Sequence, residues 1–130
     1  MNFAYAIVYV ADVAASLDFF ERAFGLTRRF LHESGSYGEL ETGATTLSFA
    51  AHATARANLG GDYAAADASA LPLGMELGLV TDDVPAAVAR AVASGATLLN
   101  APQTKPWGQV VAYVRCPDGS LVELCTAVHA

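Results

Sequence analysis

Basic residues are scarce in this 130-residue chain: seven Lys and Arg stand against thirteen Asp and Glu, a formal net charge of −6. A nucleic-acid partner is recognised through a basic footprint that neutralises phosphates, so that class is excluded. The acidic balance leaves room for a neutral or cationic small ligand. Cysteine is nearly absent too. Cys116 and Cys125 form no CxxC pair and no Cys/His cluster, which excludes a disulfide scaffold and reads as two reduced thiols in a cytoplasmic protein. No apolar run reaches bilayer-crossing length, so no membrane partner is expected. Residues 1–3 enter a strand pattern without a basic region, and no secretory leader is expected. The histidines show no metal-ligand spacing. His32 reads as a strand-surface residue, His52 as a residue just past a strand with reach to a cavity rim, and His129 as part of the terminus. There is no nucleophile–base–orienter set and no glycine loop of the phosphate-cradling kind.

What is present is apolar and repeated. Hydrophobic residues make up 54 % of the chain, enough to close one compact domain, although many are alanines that bury little area each. Residues 5–26, YAIVYVADVAASLDFFERAFGL, combine an apolar strand, Asp12-Val13, and a helix whose Val13, Leu17, Phe20 and Phe24 share one face before Gly25 ends it. About seventy residues later the order returns in residues 76–96, ELGLVTDDVPAAVARAVASGA. There Asp83-Val84 takes the place of Asp12-Val13, and Gly95 that of Gly25. The similarity extends further. Tyr37-Gly38-Glu39-Leu40 aligns with Trp107-Gly108-Gln109-Val110, and residues 43–49 align with residues 118–124. An internal repeat of this period decides the architecture.

Strand patterns cover residues 3–10, 26–33, 36–41, 44–50, 74–80, 96–100, 108–115 and 120–126, and helices follow Asp12 and Asp83. In the first strand Phe3, Tyr5, Ile7 and Tyr9 face one way and Ala4, Ala6, Val8 and Val10 the other, an element covered on both faces. Asp12 and Asp83 are natural N-caps, and Pro85 suits the first turn of its helix. The expected fold is α+β: two tandem βαβββ modules forming an open barrel-like mixed sheet around a cavity, with the helices outside. The whole chain, 1–130, is read as a single domain of two modules, 1–52 and 73–130. They are joined by residues 53–72, a linker without strand periodicity, holding a short helix near 53–59 and long enough to act as a lid. The concave face is the expected ligand site.

The repeat also selects residues. Tyr5 corresponds to Glu76, Ser48 to Glu123 and Glu39 to Gln109. Glu76 and Glu123 are single carboxylates inside apolar strands. A strand glutamate ordinarily faces solvent, but helices cover the outer face here, so these two are read as pointing into the cavity. Such a pair can bind a divalent metal, share a proton, or accept hydrogen bonds from a cationic ligand. Tyr5 and Ser48 are poor metal ligands beside His or Glu, so no metal is assigned, a divalent ion remaining the alternative. Trp107 begins a loop-to-strand segment and is a candidate stacking residue. Arg29 and Arg115 lie on strands and are expected to pair with nearby acids.

The combination of Val10-Ala11-Asp12, Ser16, Phe19-Phe20 and Phe24-Gly25-Leu26 in the first half resembles the vicinal oxygen chelate superfamily. In the second half Asp82-Asp83-Val84, Gly95, Pro106-Trp107-Gly108, Pro117-Asp118-Gly119 and Glu123-Leu124 carry the same resemblance. That superfamily contains glyoxalase I, extradiol dioxygenases and bleomycin-resistance proteins, and the resemblance covers nearly the whole chain. It implies a cavity commonly completed by a homodimer, with glyoxalase-like metal ligands at the positions of Tyr5, Ser48, Glu76 and Glu123. Only Glu123 fits a glyoxalase ligand set well, and the two histidines of an extradiol iron site are missing. What the resemblance implies is therefore a bleomycin-resistance-type protein that sequesters a cationic or aromatic small molecule in an acidic cavity, with Tyr5, Ser48, Trp107, Glu39 and Gln109 as ligand-binding residues. The alternative is a glyoxalase-like lyase or isomerase with Glu76 and Glu123 as catalytic acid and base or as part of a metal site.

Overall fold

A computed structural model describes residues 1–128, and His129 lies outside them. Its elements run β1 (Tyr5–Val10), α1 (Val13–Phe24), β2 (Thr27–Leu31), β3 (Tyr37–Glu41), β4 (Thr46–Ala51), α2 (His52–Leu59), a single 3-10 turn (Ala66–Ala68), β5 (Leu77–Val80), α3 (Val84–Ala93), β6 (Thr97–Thr104), β7 (Val110–Arg115) and β8 (Leu121–Cys125). Two tandem βαβββ modules are thus present. The mixed sheet is divided into two four-stranded halves, ordered β1-β4-β3-β2 and β5-β8-β7-β6. In each, the first strand pairs in parallel with the last, and the remaining pairs are antiparallel.

The helices form where sequence chemistry starts and stops them. Asp12 Oδ1 accepts from the Ala15 amide at 3.0 Å, and Asp83 Oδ1 accepts from that of Ala86 at the same distance. Gly25, at φ 69°, ends α1 in the left-handed conformation. Between cap and stop, α1 lays Val13, Leu17, Phe20 and Ala23 on the first sheet, all nearly inaccessible to solvent. Phe20 meets Phe49 of β4 at 5.0 Å between ring centroids. Val84, Val88 and Ala91 of α3 do the same for the second sheet.

The modules are joined through their helices. α1 packs on α3, and Arg90 Nε donates to the Arg22 carbonyl at 2.7 Å, satisfying the last turn of α1. Ser16 Oγ of α1 donates to Asp118 Oδ2 at 2.9 Å, a second tie between halves. On the opposite side, β1 and β5 stand as the edge strands of their sheets, with a crevice between them.

Three local expectations need correction. β6 extends to Thr104, past Pro102, because it is an edge strand with register shifts, where a missing amide costs no ladder bond. β7 begins at Val110, so Trp107 belongs to the preceding loop. The repeat alignment there slips as a result. Tyr37, Gly38 and Glu39 face Ala50, Phe49 and Ser48, while Val111, Ala112 and Tyr113 face Cys125, Leu124 and Glu123. The counterpart of Glu39 is therefore Tyr113 and not Gln109.

Candidate functional site

The alternation of strand residues sorts each sheet into two faces. Ala6, Val8, Val10, Leu47 and Phe49 pack in the core beneath the helix. Tyr5, Ile7, Thr46, Ser48, Tyr37 and Glu39 therefore share the opposite face. On that face Glu39 is nearly buried. Its Oε1 accepts from Arg29 Nη1 at 2.8 Å and its Oε2 from the Tyr37 hydroxyl at 2.8 Å. Arg29 also makes a two-pronged pair with Glu41, at 2.9 and 2.8 Å, and this guanidinium holds the Glu41 carboxyl below the usual range. Burial, with the Glu39 charge behind it, raises the Tyr37 phenol. Ser48 is fully buried, and among the described residues its Oγ has no hydrogen-bond partner. Tyr5 is about half exposed at the start of β1.

The second sheet carries the carboxylate pair. Glu123 lies mid-strand on β8, opposite Tyr113 of β7, and Glu76 directly precedes β5. Glu76 is itself exposed, but partial desolvation of its carboxyl raises it above its ordinary value. The neighbouring Glu123 carboxyl raises it further, and the Tyr113 hydroxyl opposes the shift. Burial also raises Tyr113, followed by the charges of Glu123 and Glu76. The register of β7 and β8 sets Tyr113 against Glu123, and the three groups perturb one another; the tyrosine is not among the residues the sequence selects. Among the described residues neither glutamate has an ion-pair partner. Gly78 belongs to the same arrangement, since a Cβ there would sit 3.8 Å from Glu123 Oε2.

Trp107 and Gln109 lie at the margin of this sheet. Trp107 is 64 % exposed. Its Nε1 donates to Gln109 Oε1 at 2.9 Å, and Gln109 Nε2 donates to the Thr126 carbonyl at 3.0 Å. Among the described residues no hydrogen bond or ion pair joins the Tyr5–Ser48–Glu39 group to the Glu76–Glu123 group. Each sheet carries its own cluster.

A cavity of about 300 Å³ fills part of the crevice between the two edge strands. Ile7, Val8 and Tyr9 of β1 form one wall, and Met75, Glu76 and Leu77 the other. Tyr63, Ala64, Ala66 and Leu73 come from the segment between α2 and β5, and Ser120 and Leu121 from the turn into β8. The lining is mainly apolar, with Glu76 as its carboxylate and Tyr9 and Tyr63 as its phenols. Glu76 thus belongs both to the cavity wall and to the carboxylate pair.

The linker is tied down beside this cavity. Arg115, expected to pair with an acid, instead donates to the carbonyls of Ala66, Ser69, Ala70 and Gly119 at 2.8–3.3 Å. Gly119 is positioned so that a Cβ would lie 2.3 Å from the Ala66 oxygen, and its φ is +90°. His52, at the start of α2, bridges the Tyr63 hydroxyl (2.5 Å) and the Asp67 carboxylate (3.0 Å). A hydroxyl–imidazole–carboxylate line therefore exists, contrary to the sequence reading. Its members come from a segment without periodicity, so spacing gave no signal. Tyr113 was findable, since the alternation Val111–Tyr113–Arg115 with the register above selects it.

A metal of the glyoxalase or extradiol kind does not fit these donors. At the positions where glyoxalase-like ligands are expected, the second sheet offers two carboxylates, Glu76 and Glu123, and the first only the hydroxyls of Tyr5 and Ser48, while Glu39 is taken up by Arg29 and Tyr37. Among the described residues no group of three His, Cys, Asp or Glu side chains comes together to hold an ion. No helix among the described residues is long and apolar enough to cross a membrane.

Comparison with known proteins agrees with this architecture. A glyoxalase-related enzyme from Fulvimarina pelagi superposes with a TM-score of 0.81 at 22 % identity, over 95 % of this chain and 86 % of that one. A glyoxalase/bleomycin resistance protein/dioxygenase family enzyme from Burkholderia phytofirmans PsJN gives 0.78 at 21 % identity, over 99 % and 100 %. A protein of unknown function from Agrobacterium tumefaciens str. C58 gives 0.76 at 25 % identity, over 98 % and 94 %. No curated protein matches the sequence. The model of the Glyoxalase/Bleomycin resistance protein/Dioxygenase superfamily matches residues 2–124, and the chain belongs to that superfamily.

Proposed function

We propose that this superfamily member binds a small aromatic or amphipathic cation, holding its charge at Glu76 and Glu123 and its apolar body in the crevice between β1 and β5. The observation that carries this reading is the pair of mutually perturbing carboxylates that has, among the described residues, no base to neutralise it. Like charges placed together raise each other's energy, and a bound cation relieves that cost. Tyr113 beside the carboxylates supplies an aromatic face for the same charge. Trp107, Gln109 and Tyr5 belong to the outer parts of the binding surface, while Ser48, fully buried, and Glu39, nearly buried against Arg29 and Tyr37, support it from beneath. Because the two clusters lie on separate sheets, a homodimer in which a second copy closes the concave faces completes the site. Residues 53–72 serve as the lid, which is supported by the linker residues in the cavity wall.

The test is a fluorescence titration with proflavine, a planar aromatic cation, against acridine, its neutral parent near pH 7. Proflavine is expected to bind at least about tenfold more tightly, an advantage lost on Glu76→Gln or Glu123→Gln. Equal affinity for the two dyes, or an unchanged preference in both variants, would sink the proposal.

The raised Glu76 carboxyl supports a second reading, a lyase or isomerase in which one glutamate holds a proton and the other accepts one. Solvent deuterium entering the carbon next to the carbonyl of phenylacetone, faster with the protein than with Glu76→Gln, would favour it.

A further inference from the structure

The segment between α2 and β5 closes one side of the crevice cavity with Tyr63, Ala64, Ala66 and Leu73, and it is fastened to both modules. On the second module, Arg115 of β7 donates to the carbonyls of Ala66, Ser69 and Ala70 at 2.8–3.1 Å. The close fit of Gly119 against Ala66 adds to that hold. On the first module the fastening is a single side chain. His52, where β4 runs into α2, meets the Tyr63 hydroxyl through Nδ1 at 2.5 Å and the Asp67 carboxylate through Nε2 at 3.0 Å.

The two fastenings differ in kind. Arginine keeps its charge at every pH a protein meets, and carbonyls do not titrate, so the Arg115 hold is permanent. Imidazole changes charge between about pH 5 and 8. With one proton on the ring, the Asp67 contact is a hydrogen bond without an opposing charge. With two, both ring nitrogens donate, the phenol oxygen accepts from one of them, and the Asp67 contact becomes an ion pair. The protonated ring therefore holds Tyr63 and Asp67 more tightly.

Few other charged or titratable groups surround this ring. Arg56 of α2 has its charge met by Asp62 at 2.9 Å, and among the described residues no base other than His52 pairs with Asp67. α2 packs on β4, which carries no ionisable residue, and on β1. Tyr9 of β1 sets its ring 4.8 Å from that of Tyr63, and Tyr5 lies at the far end of the strand. Glu76 stands in the cavity wall, and Asp12 and Asp118 border a small cavity together with Asp67. The His52 side chain is 16 % exposed, so solvent screens its pair less than one on the open surface.

We infer that residues 62–68 are a lid latched by His52 and closed more firmly when the imidazole is protonated, so that ligands enter and leave the crevice more slowly as pH falls. The inference rests on the binding reading above and adds its regulation.

Amide exchange without ligand tests the latch. Between about pH 7.5 and 5.5 the protection factors of residues 63–67 are expected to rise about threefold in the parent. They should stay level in His52→Gln and in Asp67→Asn, which keeps the shape of the carboxylate without its charge. Stopped-flow mixing with proflavine tests passage. Relative to either variant, the parent should lose about threefold in both association and dissociation rate over the same range, since a latch slows entry and exit alike. Titration of Glu76 and Glu123 is common to all three proteins and cancels in that comparison. Protection that does not change with pH in the parent, or that changes alike in the variants, would overturn the inference. So would parent and variant rates that keep a constant ratio across the range. Proflavine bound by none of the three would overturn the cation reading, and the protection factors alone would then decide the latch.

Discussion

At the residue scale the chemistry rests on Glu76. A carboxyl whose folded value is raised keeps its proton in the folded chain after the unfolded chain has released it. Its contribution to stability is complete below the ordinary carboxylate range and is lost as pH rises toward the folded value. Urea midpoints between about pH 4 and pH 8 should therefore fall less steeply in Glu76→Gln than in the parent, and the variant should be the more stable one at the upper end. A steeper fall in the variant would mean that Glu76 is ionised and paired in the folded state. The thiols make a complementary prediction. Burial pushes Cys116 up to about 12 and also raises Cys125, so Ellman's reagent should find neither thiol at pH 8 until denaturant is added. Rapid reaction in the native state would contradict this. Sequence pattern singled out Glu76 and Glu123 because a carboxylate between two apolar neighbours is unusual. It missed Tyr63 and His52 as partners, since their meeting depends on a loop path that no periodicity encodes.

At the element scale the sequence was most informative where one chemical signal had one structural outcome. Asp12 and Asp83 were readable as caps because their side chains bond the third amide along in each helix. The β6–β7 hairpin was less legible. Two prolines suggested a loop, and an edge strand tolerated one of them while the loop held the other. The linker illustrates a third case: Arg115 was expected to pair with an acid, but its partners are backbone carbonyls, which sequence does not display. Arg115→Ala should leave the sheets intact while raising amide exchange selectively in residues 63–70. Exchange there equal to that of the parent would mean that the linker holds itself. Gly119→Ala forces a Cβ against the Ala66 carbonyl at a positive φ. It should cost at least about 2 kcal/mol in thermal or urea unfolding and open the same segment to protease.

At the scale of the whole molecule, two modules share one core through α1 and α3, and a crevice separates their sheets on the other side. Stability should therefore be set at the helices and binding at the crevice. Phe20→Ala, which empties the contact with Phe49, should lose about 3–5 kcal/mol in urea unfolding. Tyr113→Phe, on the far face of the second sheet, should change stability little and proflavine affinity more. A large loss of stability in the second variant would show the two roles to be merged. The internal repeat made this division visible in the sequence, since each half holds one helix and too few strands to cover both faces. How the halves meet was not visible, because the residues lining the crevice belong to edge strands and a linker that are not neighbours in the chain.

The most direct test of the central claim is the titration of the Glu76 side chain itself, followed by carbon-13 NMR of glutamate-labelled protein with and without proflavine. The account predicts a midpoint above the ordinary carboxylate range in the free protein and a downward shift when the cation binds, because the added positive charge favours the ionised form. A midpoint in the ordinary range, or one that proflavine leaves unmoved, would contradict it.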